Sequence, residues 1–314
     1  MINLWGNMAY QIDGKFVVAM ASSALFDLGE ADRVFQELGP DSYKKYQEEH
    51  INDILRPGVA FPFVKRLLKL NEVFQTEKPV EVILLSKNSV ETGLRVFNSI
   101  KHYCLDITRG AFLSGISPYP YLKSFNATIF LSANGDDVKS AIDTGHAAGM
   151  VIKSEFEDDD DEELRLAFDF DAVIVDDEAE RIYKESGSLE EFHTHEVTKS
   201  KICLNPGPLK SFIDKISSFQ KMEEKRANQI QGYKKILKTA IVTARNAPSH
   251  ERMVNTLKQW GISVDAAFLM GGVDKKKVLE VLKPHLFFDD QMTHLDSTKI
   301  PQVHVPFGIA NLKC

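Results

Sequence analysis

Two aspartates one residue apart, Asp169-Phe170-Asp171, interrupt an apolar stretch over residues 164–175. If residues 166–168 form a buried parallel strand, both carboxylates stand at its carboxyl end, the edge of an α/β sheet where ligands bind. Crowded carboxylates repel one another unless a cation or a proton holds them. An ordinary acidic loop can contain the same tripeptide, so the weight falls on what else the chain brings to that edge. Residues 239–243 end in the hydroxyl of Thr243, followed by Ala244-Arg245-Asn246. Residues 267–269 lead through Gly271-Gly272 to Lys275 at the start of a helix, and residues 286–288 end in Asp289-Asp290. The acids suit a hard divalent cation such as Mg²⁺, which takes oxygen ligands and keeps several waters. The hydroxyl, the lysine and nearby backbone amides suit a phosphoryl group, whose charge they neutralise during transfer.

Strands and helices alternate around these groups. Residues 16–20 read as a buried strand ending at Ala21-Ser22-Ser23. Residues 29–75 keep helical spacing (Val34, Phe35, Leu38; then Phe63, Leu67, Leu68, Leu70), divided at Pro57-Gly58. Residues 80–85 form a strand ending in Ser86-Lys87-Asn88, with a helix following through Val96, Phe97 and Ile100. Short strands are expected at 111–113 and 128–131, a helix over 136–150, and a strand near 150–152.

Beyond an acidic run at 155–163 the plan recurs. Glu30-Ala31-Asp32-Arg33-Val34-Phe35 matches Glu178-Ala179-Glu180-Arg181-Ile182-Tyr183 without a gap, residues 111–115 match 267–271, and 129–134 fall on 286–291. The chain reads as a tandem duplication of Rossmann-like α/β units, each a mainly parallel sheet with flanking helices and a helical insertion. Residues 1–154 form one unit (insertion about 28–79) and 164–314 the other (insertion about 176–238). The register sets Asp169 against Ala21, Asp171 against Ser23, Thr243 against Ser86, Lys275 against Pro118 or Tyr119, and Asp289 and Asp290 against Ser132 and Ala133. Apolar positions persist in both halves while the acids occur only in the second. The second half is therefore expected to carry chemistry and the first to be degenerate.

Composition agrees with a soluble globular protein: 43% hydrophobic and 26% charged residues. Net charge is −7, but eight acids lie within residues 155–163; the remainder is near neutral, and that run reads as a solvated linker or loop. No basic surface points to nucleic-acid polymers. Cys104, Cys203 and Cys314 are too few and too scattered for a disulfide framework and fit a reducing, cytoplasmic setting. Lys15 followed by residues 16–21 imitates a secretory signal, yet Asp13 lies just upstream and the repeat accounts for the stretch as a strand. No apolar run reaches membrane-spanning length.

Asp169-Phe170-Asp171, Thr243, Lys275 and Asp289-Asp290, in this order, resemble the four motifs of the haloacid dehalogenase (HAD) superfamily. The segments 168–173, 242–248, 95–100 and 117–123 narrow the resemblance to the type I cytosolic 5′-nucleotidases, over nearly the whole chain. That resemblance implies Mg²⁺-dependent hydrolysis of nucleoside 5′-monophosphates. Asp169 is the nucleophile forming an aspartyl-phosphate and Asp171 the general acid then base. Thr243 and Lys275 hold the transferring oxygens. The metal is held by Asp169, the carbonyl of Asp171, and Asp289 or Asp290. The second acid favours a phosphatase over the phosphoryl-transfer pumps of the superfamily. Phe170 is bulky, and Ala172 stands where many members carry threonine or valine.

The insertion after Asp176 should act as a cap that excludes water and supplies specificity. Glu178, Arg181, Tyr183 and Phe192 are its candidates, with packing the preferred role for each. His193 and His195 face divergent directions on a helix and are not expected to bind metal. Arg245 and Asn246 are expected to contact phosphate or sugar. In the first half, Ser22, Ser23, Ser86, Lys87 and Asn88 can bind a regulatory nucleotide or complete the substrate pocket, although a scaffold that has lost its acids is preferred. A phosphatase of another small phosphomonoester and a non-catalytic nucleotide sensor are the rival functions. Base preference and self-association are left open.

Overall fold

The computed structural model describes residues 10–159, 161–295 and 299–312. In chain order the elements are β1 (Phe16–Met20), α1 (Ser22–Leu25), β2 (Phe26–Asp27), α2 (Gly29–Glu49), β3 (Arg56–Pro57), α3 (Phe61–Val73), β4 (Val80–Ser86), α4 (Val90–His102), β5 (Arg109–Phe112), β6 (Ile129–Ser132), α5 (Gly135–Asp143) and β7 (Ala148–Ile152). Then follow β8 (Leu164–Phe168), α6 (Glu178–Ser186), α7 (Leu189–Thr198), α8 (Lys210–Gln229), β9 (Leu237–Thr243), α9 (His250–Gln259), β10 (Ala266–Leu269), α10 (Lys276–Leu282), β11 (Leu286–Asp289) and β12 (Gln302–His304).

Ten strands form one sheet in the order β10-β9-β8-β11-β12-β7-β6-β1-β4-β5, and β2 pairs with β3 apart from it. Neighbours within each five-strand run are parallel, and the runs meet where β12 pairs antiparallel with β7. Read outward from that seam, both runs have the same connectivity. The expected strand over 16–20 is β1, fully buried, so the signal-like stretch lies inside the sheet. The helix expected over 136–150 stops at Asp143, where Gly145 takes φ +82° and the chain turns into β7.

Of the insertion expected at 176–238, α8 lies on the sheet. Its buried residues Phe212, Ile213, Ile216, Ser217, Phe219, Gln220 and Glu223 make one helical stripe. Phe212 meets Phe168 and Phe288 of the second run and Phe16 of the first, with ring centroids 5.6–6.0 Å apart. Glu223 is buried yet satisfied: it accepts hydrogen bonds from Tyr233 Oη and from the backbone N–H groups of Ile236 and Leu237, which fixes the entry to β9. Asn71 of α3 does the same at β4 by pairing with both backbone groups of Val80.

The acidic run is a loop but not a freely solvated one. Arg66 of α3, fully buried, pairs with Asp158 (2.6 Å) and Asp159 (3.2 Å) and donates to the carbonyl of Asp161. Arg165 on β8 pairs with Asp159 and Asp161. Asp160 of that run and Cys314 fall outside the described residues; Cys104 and Cys203 are free thiols. Among the described residues no helix is long and apolar enough to cross a membrane.

Candidate active site

The carboxyl ends of β8, β9 and β11 bring the expected residues together. Asp169 follows β8 directly, and its N–H donates to the carbonyl of Phe288 (2.7 Å), which carries the β8–β11 ladder one residue beyond the strand. Its Oδ1 accepts from the N–H of Phe170 (2.7 Å) and its Oδ2 from Lys275 Nζ (2.7 Å). Lys275, at the start of α10, reaches Asp289 Oδ2 at the same 2.7 Å, so one ammonium bridges the acids that end two neighbouring strands. Asp289 also accepts from the N–H of Gln291 and from Nδ1 of His294.

After Asp171 the backbone turns at Ala172, which takes φ +57°. That left-handed conformation is uncommon for any residue but glycine and disfavours β-branched side chains most. The ring of Phe170 is buried beneath the Arg245 guanidinium, 5.3 Å from its centroid. Arg245 grips Asp171 with two hydrogen bonds of 2.7 Å, from Nε and Nη2. Its Nη1 donates to Glu196 of α7 and to the carbonyl of Ser249. Thr243, the last residue of β9, points its hydroxyl to the same edge and accepts the N–H of Arg245. The Asn246 side chain rests against Gly271, where φ +55° and an approach of 3.2 Å to any added Cβ favour glycine.

Burial sets the charge states. Desolvation pushes the Asp169 carboxyl up to about 7, against the pull of Lys275. Lys275, held between two carboxylates, is raised above the usual ammonium range despite its burial, and Asp289 is held below the carboxylate range chiefly by Lys275. Asp290 is different: it is 1% exposed, and both its carboxylate oxygens are buried without a hydrogen-bond partner among the described residues. Burial, together with the charges of Asp169, Asp289 and Glu180, pushes it up to about 9. Such a group needs a proton or a cation.

Ligand atoms of Asp169, Asp289 and His294 lie within 4.8 Å of one another beside this unpartnered carboxylate, and the oxygens of Asp169 and Asp290 suit an oxygen-seeking cation. Asp158, Asp159 and His285 also cluster within 4.8 Å. There His285 Nδ1 accepts the N–H of Arg165, so the neutral ring carries its proton on Nε2. Two arginines already occupy the acids and, with burial, press His285 down to about 4. The second cluster is an ion-pair lock.

A cavity of about 430 Å³ opens over the first centre, floored by Asp169, Asp171, Thr243, Arg245 and Asn246 and walled by Tyr183, Leu189 and Phe192 of α6 and α7. Glu178 and Arg181 do not line it: Glu178 pairs with Lys199 and Arg252, and Arg181 with Asp177. His195 faces Glu178 and Glu196. His294, Gln291, Glu180 and Glu196 escaped the sequence reading; His294, five residues after Asp289, had the nearest thing to a signal. In the first half a cavity of about 300 Å³ sits at the ends of β1, β4 and β6, where Lys87 is paired with Asp137 at 2.9 Å.

An acid-rich centre at the carboxyl edge of a parallel sheet defines an α/β protein of the ligand-binding kind. A family model described as 5′-nucleotidase matches residues 8–312. Human (Homo sapiens) cytosolic 5′-nucleotidase 1B is 32% identical over 289 residues, 90% of this chain and 47% of that protein. The chain thus spans about half the length of this curated relative. No solved structure matches it. The chain belongs to the 5′-nucleotidase family, and the resemblance to its type I cytosolic members holds.

Proposed function

We propose that this chain hydrolyses nucleoside 5′-monophosphates to nucleoside and phosphate, with Mg²⁺, through an aspartyl-phosphate on Asp169. The observation that carries the reading is the Lys275 bridge between Asp169 and Asp289, beside Asp290 with both its oxygens buried and unpartnered. Asp169 attacks phosphorus in line. Asp171 gives a proton to the departing 5′-oxygen and takes one from the water that hydrolyses the acyl-phosphate. Thr243 and Lys275 meet the charge on the transferring oxygens. Asp169, the carbonyl of Asp171 and Asp290 would hold the cation, since Asp289 is already occupied by Lys275, Gln291 and His294. When bound, Mg²⁺ supplies positive charge to the phosphoryl oxygens and neutralises the acids.

In this reading α6 and α7 are the cap, Tyr183 and Phe192 offer ring faces to a base, and Asn246 contacts phosphate or sugar. The two five-strand runs are products of a duplication of HAD-type units, and the protein works in the cytoplasm. A nucleotide in the first-half cavity would have to compete with Asp137 for Lys87. The test is phosphate release from a panel of nucleoside 5′-monophosphates and sugar phosphates, with Mg²⁺ or EDTA, for wild type and Asp169→Asn. Nucleotide turnover lost in the variant and in EDTA supports the proposal. Turnover of non-nucleotides alone leaves a phosphatase of another class, and nucleotide binding without turnover leaves a sensor.

A further inference from the structure

The acid opposite the nucleophile is not held by its own strand. Asp171 sits in the turn after β8, and both its carboxylate oxygens are taken by Arg245, at 2.7 Å each. Arg245 is in turn fixed from behind. Its Nη1 donates to Oε2 of Glu196 and to the carbonyl of Ser249 (3.1 Å), and its guanidinium lies between the rings of Phe170 and Phe192, at 5.3 and 5.9 Å. Four of its five N–H groups are thus committed to protein partners. Glu196 belongs to α7, and its side chain is fully buried. Its other oxygen is held by Arg252 of α9 (2.8 Å) and by His195 of α7 itself (3.2 Å).

We infer that Glu196 is a positioning residue for the proposed hydrolysis: acting through Arg245, it sets the direction of the Asp171 carboxyl group, which hands its proton to the leaving oxygen when protonated and returns to the carboxylate that Arg245 grips. The inference rests on the nucleotidase reading and extends it, because it makes proton transfer depend on the seating of α7. Arg245 is on this view also a positioning residue, more than a phosphate ligand. A planar fork gripping a carboxylate at both oxygens fixes its direction as well as its place. A cap that lifts α7 withdraws Glu196 and Phe192 and leaves Arg245 backed only by the Ser249 carbonyl and the ring of Phe170.

Leaving-group chemistry separates positioning from scaffolding. A nucleoside alkoxide needs the proton of Asp171 to depart, whereas p-nitrophenolate departs without one. The quantity to read is kcat/KM, which covers events up to loss of the leaving group. For Glu196→Gln, kcat/KM for a nucleoside 5′-monophosphate should fall about 30-fold or more, while that for p-nitrophenyl phosphate falls less than about threefold. The ratio is independent of how much variant is folded. Arg252→Gln provides the second variant: it removes a cationic partner from the far oxygen of Glu196, leaves His195 there and does not touch Arg245, so it should lower the melting temperature and leave the ratio within about twofold of wild type. Equal losses on both substrates in Glu196→Gln, or no loss on either, overturns the inference while leaving the nucleotidase reading intact. A wild type that turns over neither substrate overturns that reading and this inference with it.

Discussion

Phe168 and Phe288 stack almost face to face, with ring centroids 5.0 Å apart and planes 7° from parallel. Each immediately precedes an acid of the site, Asp169 or Asp289, so the stack behind the sheet sets the spacing of the carboxylates that Lys275 bridges in front. Phe288→Leu keeps an apolar side chain but ends the stacking. It should cost about 1–2 kcal/mol in urea unfolding. It should also lower kcat by roughly 10-fold, since misplacing reacting groups by ~1 Å can cost ~100-fold. A stability loss with kcat unchanged would show that the acids do not depend on the stack.

Asp289 and Asp290 are adjacent and both buried, yet removing them should have opposite effects. Asp290→Asn removes a carboxylate that has no partner, so the melting temperature in EDTA should hold or rise, and the rise that Mg²⁺ produces should vanish. Asp289→Asn takes a partner from Lys275, Gln291 and His294 and should destabilise by about 3–5 kcal/mol with or without the cation. The reverse pattern in differential scanning calorimetry would exchange their roles.

Acidity gives an independent handle on the same centre. Asp169 and Asp290 are raised to about 7 and about 9, so the folded, cation-free protein keeps protons that the unfolded chain gives up above pH ~4. Their contribution to stability is full below that pH and is lost as pH climbs through 7 and then 9. In EDTA the melting temperature should fall from pH 5 to 9, and the Mg²⁺-induced increment should grow over the same range. Calorimetric titration in buffers of different ionisation enthalpy should detect proton release on Mg²⁺ binding at pH 6.5. An increment that is flat with pH would remove these two acids from the cation site.

Arg66 joins α3 to the loop that leads into β8. Arg66→Ala should destabilise by about 2–3 kcal/mol, because it leaves clustered carboxylates facing one another. The loop should also become the first site of proteolytic nicking. Limited proteolysis at native temperature that spares residues 155–163 would count against the lock.

The strands and the acids at their ends were legible in the chain because each is local: an apolar run followed at once by an acid, a hydroxyl or a lysine. The recurrence of that pattern foretold the matching connectivity on either side of the β7–β12 seam. Other features depend on groups distant in sequence. Glu196 meets Arg245 and Arg252 across 49 and 56 residues, and nothing in the local pattern around it marks it as buried. The residues of α8 read as part of the cap, because helical character alone does not say whether a helix covers a pocket or a sheet. The acidic run looked solvated because Arg66, some 92 residues away, gave no sign that it would be buried beside it.

The seam between β7 and β12 also bears on how the chain is made. β7 ends at Ile152 and the strand that covers its open edge begins at Gln302, so at a synthesis rate of about 5–20 residues per second the ribosome leaves that edge bare for roughly 8–30 s. During that interval the nascent first half presents unpaired N–H and C=O groups, a template for pairing with other chains. Truncations that stop short of β12 should therefore be captured by chaperones or self-associate, and soluble yield should be governed by the arrival of β12.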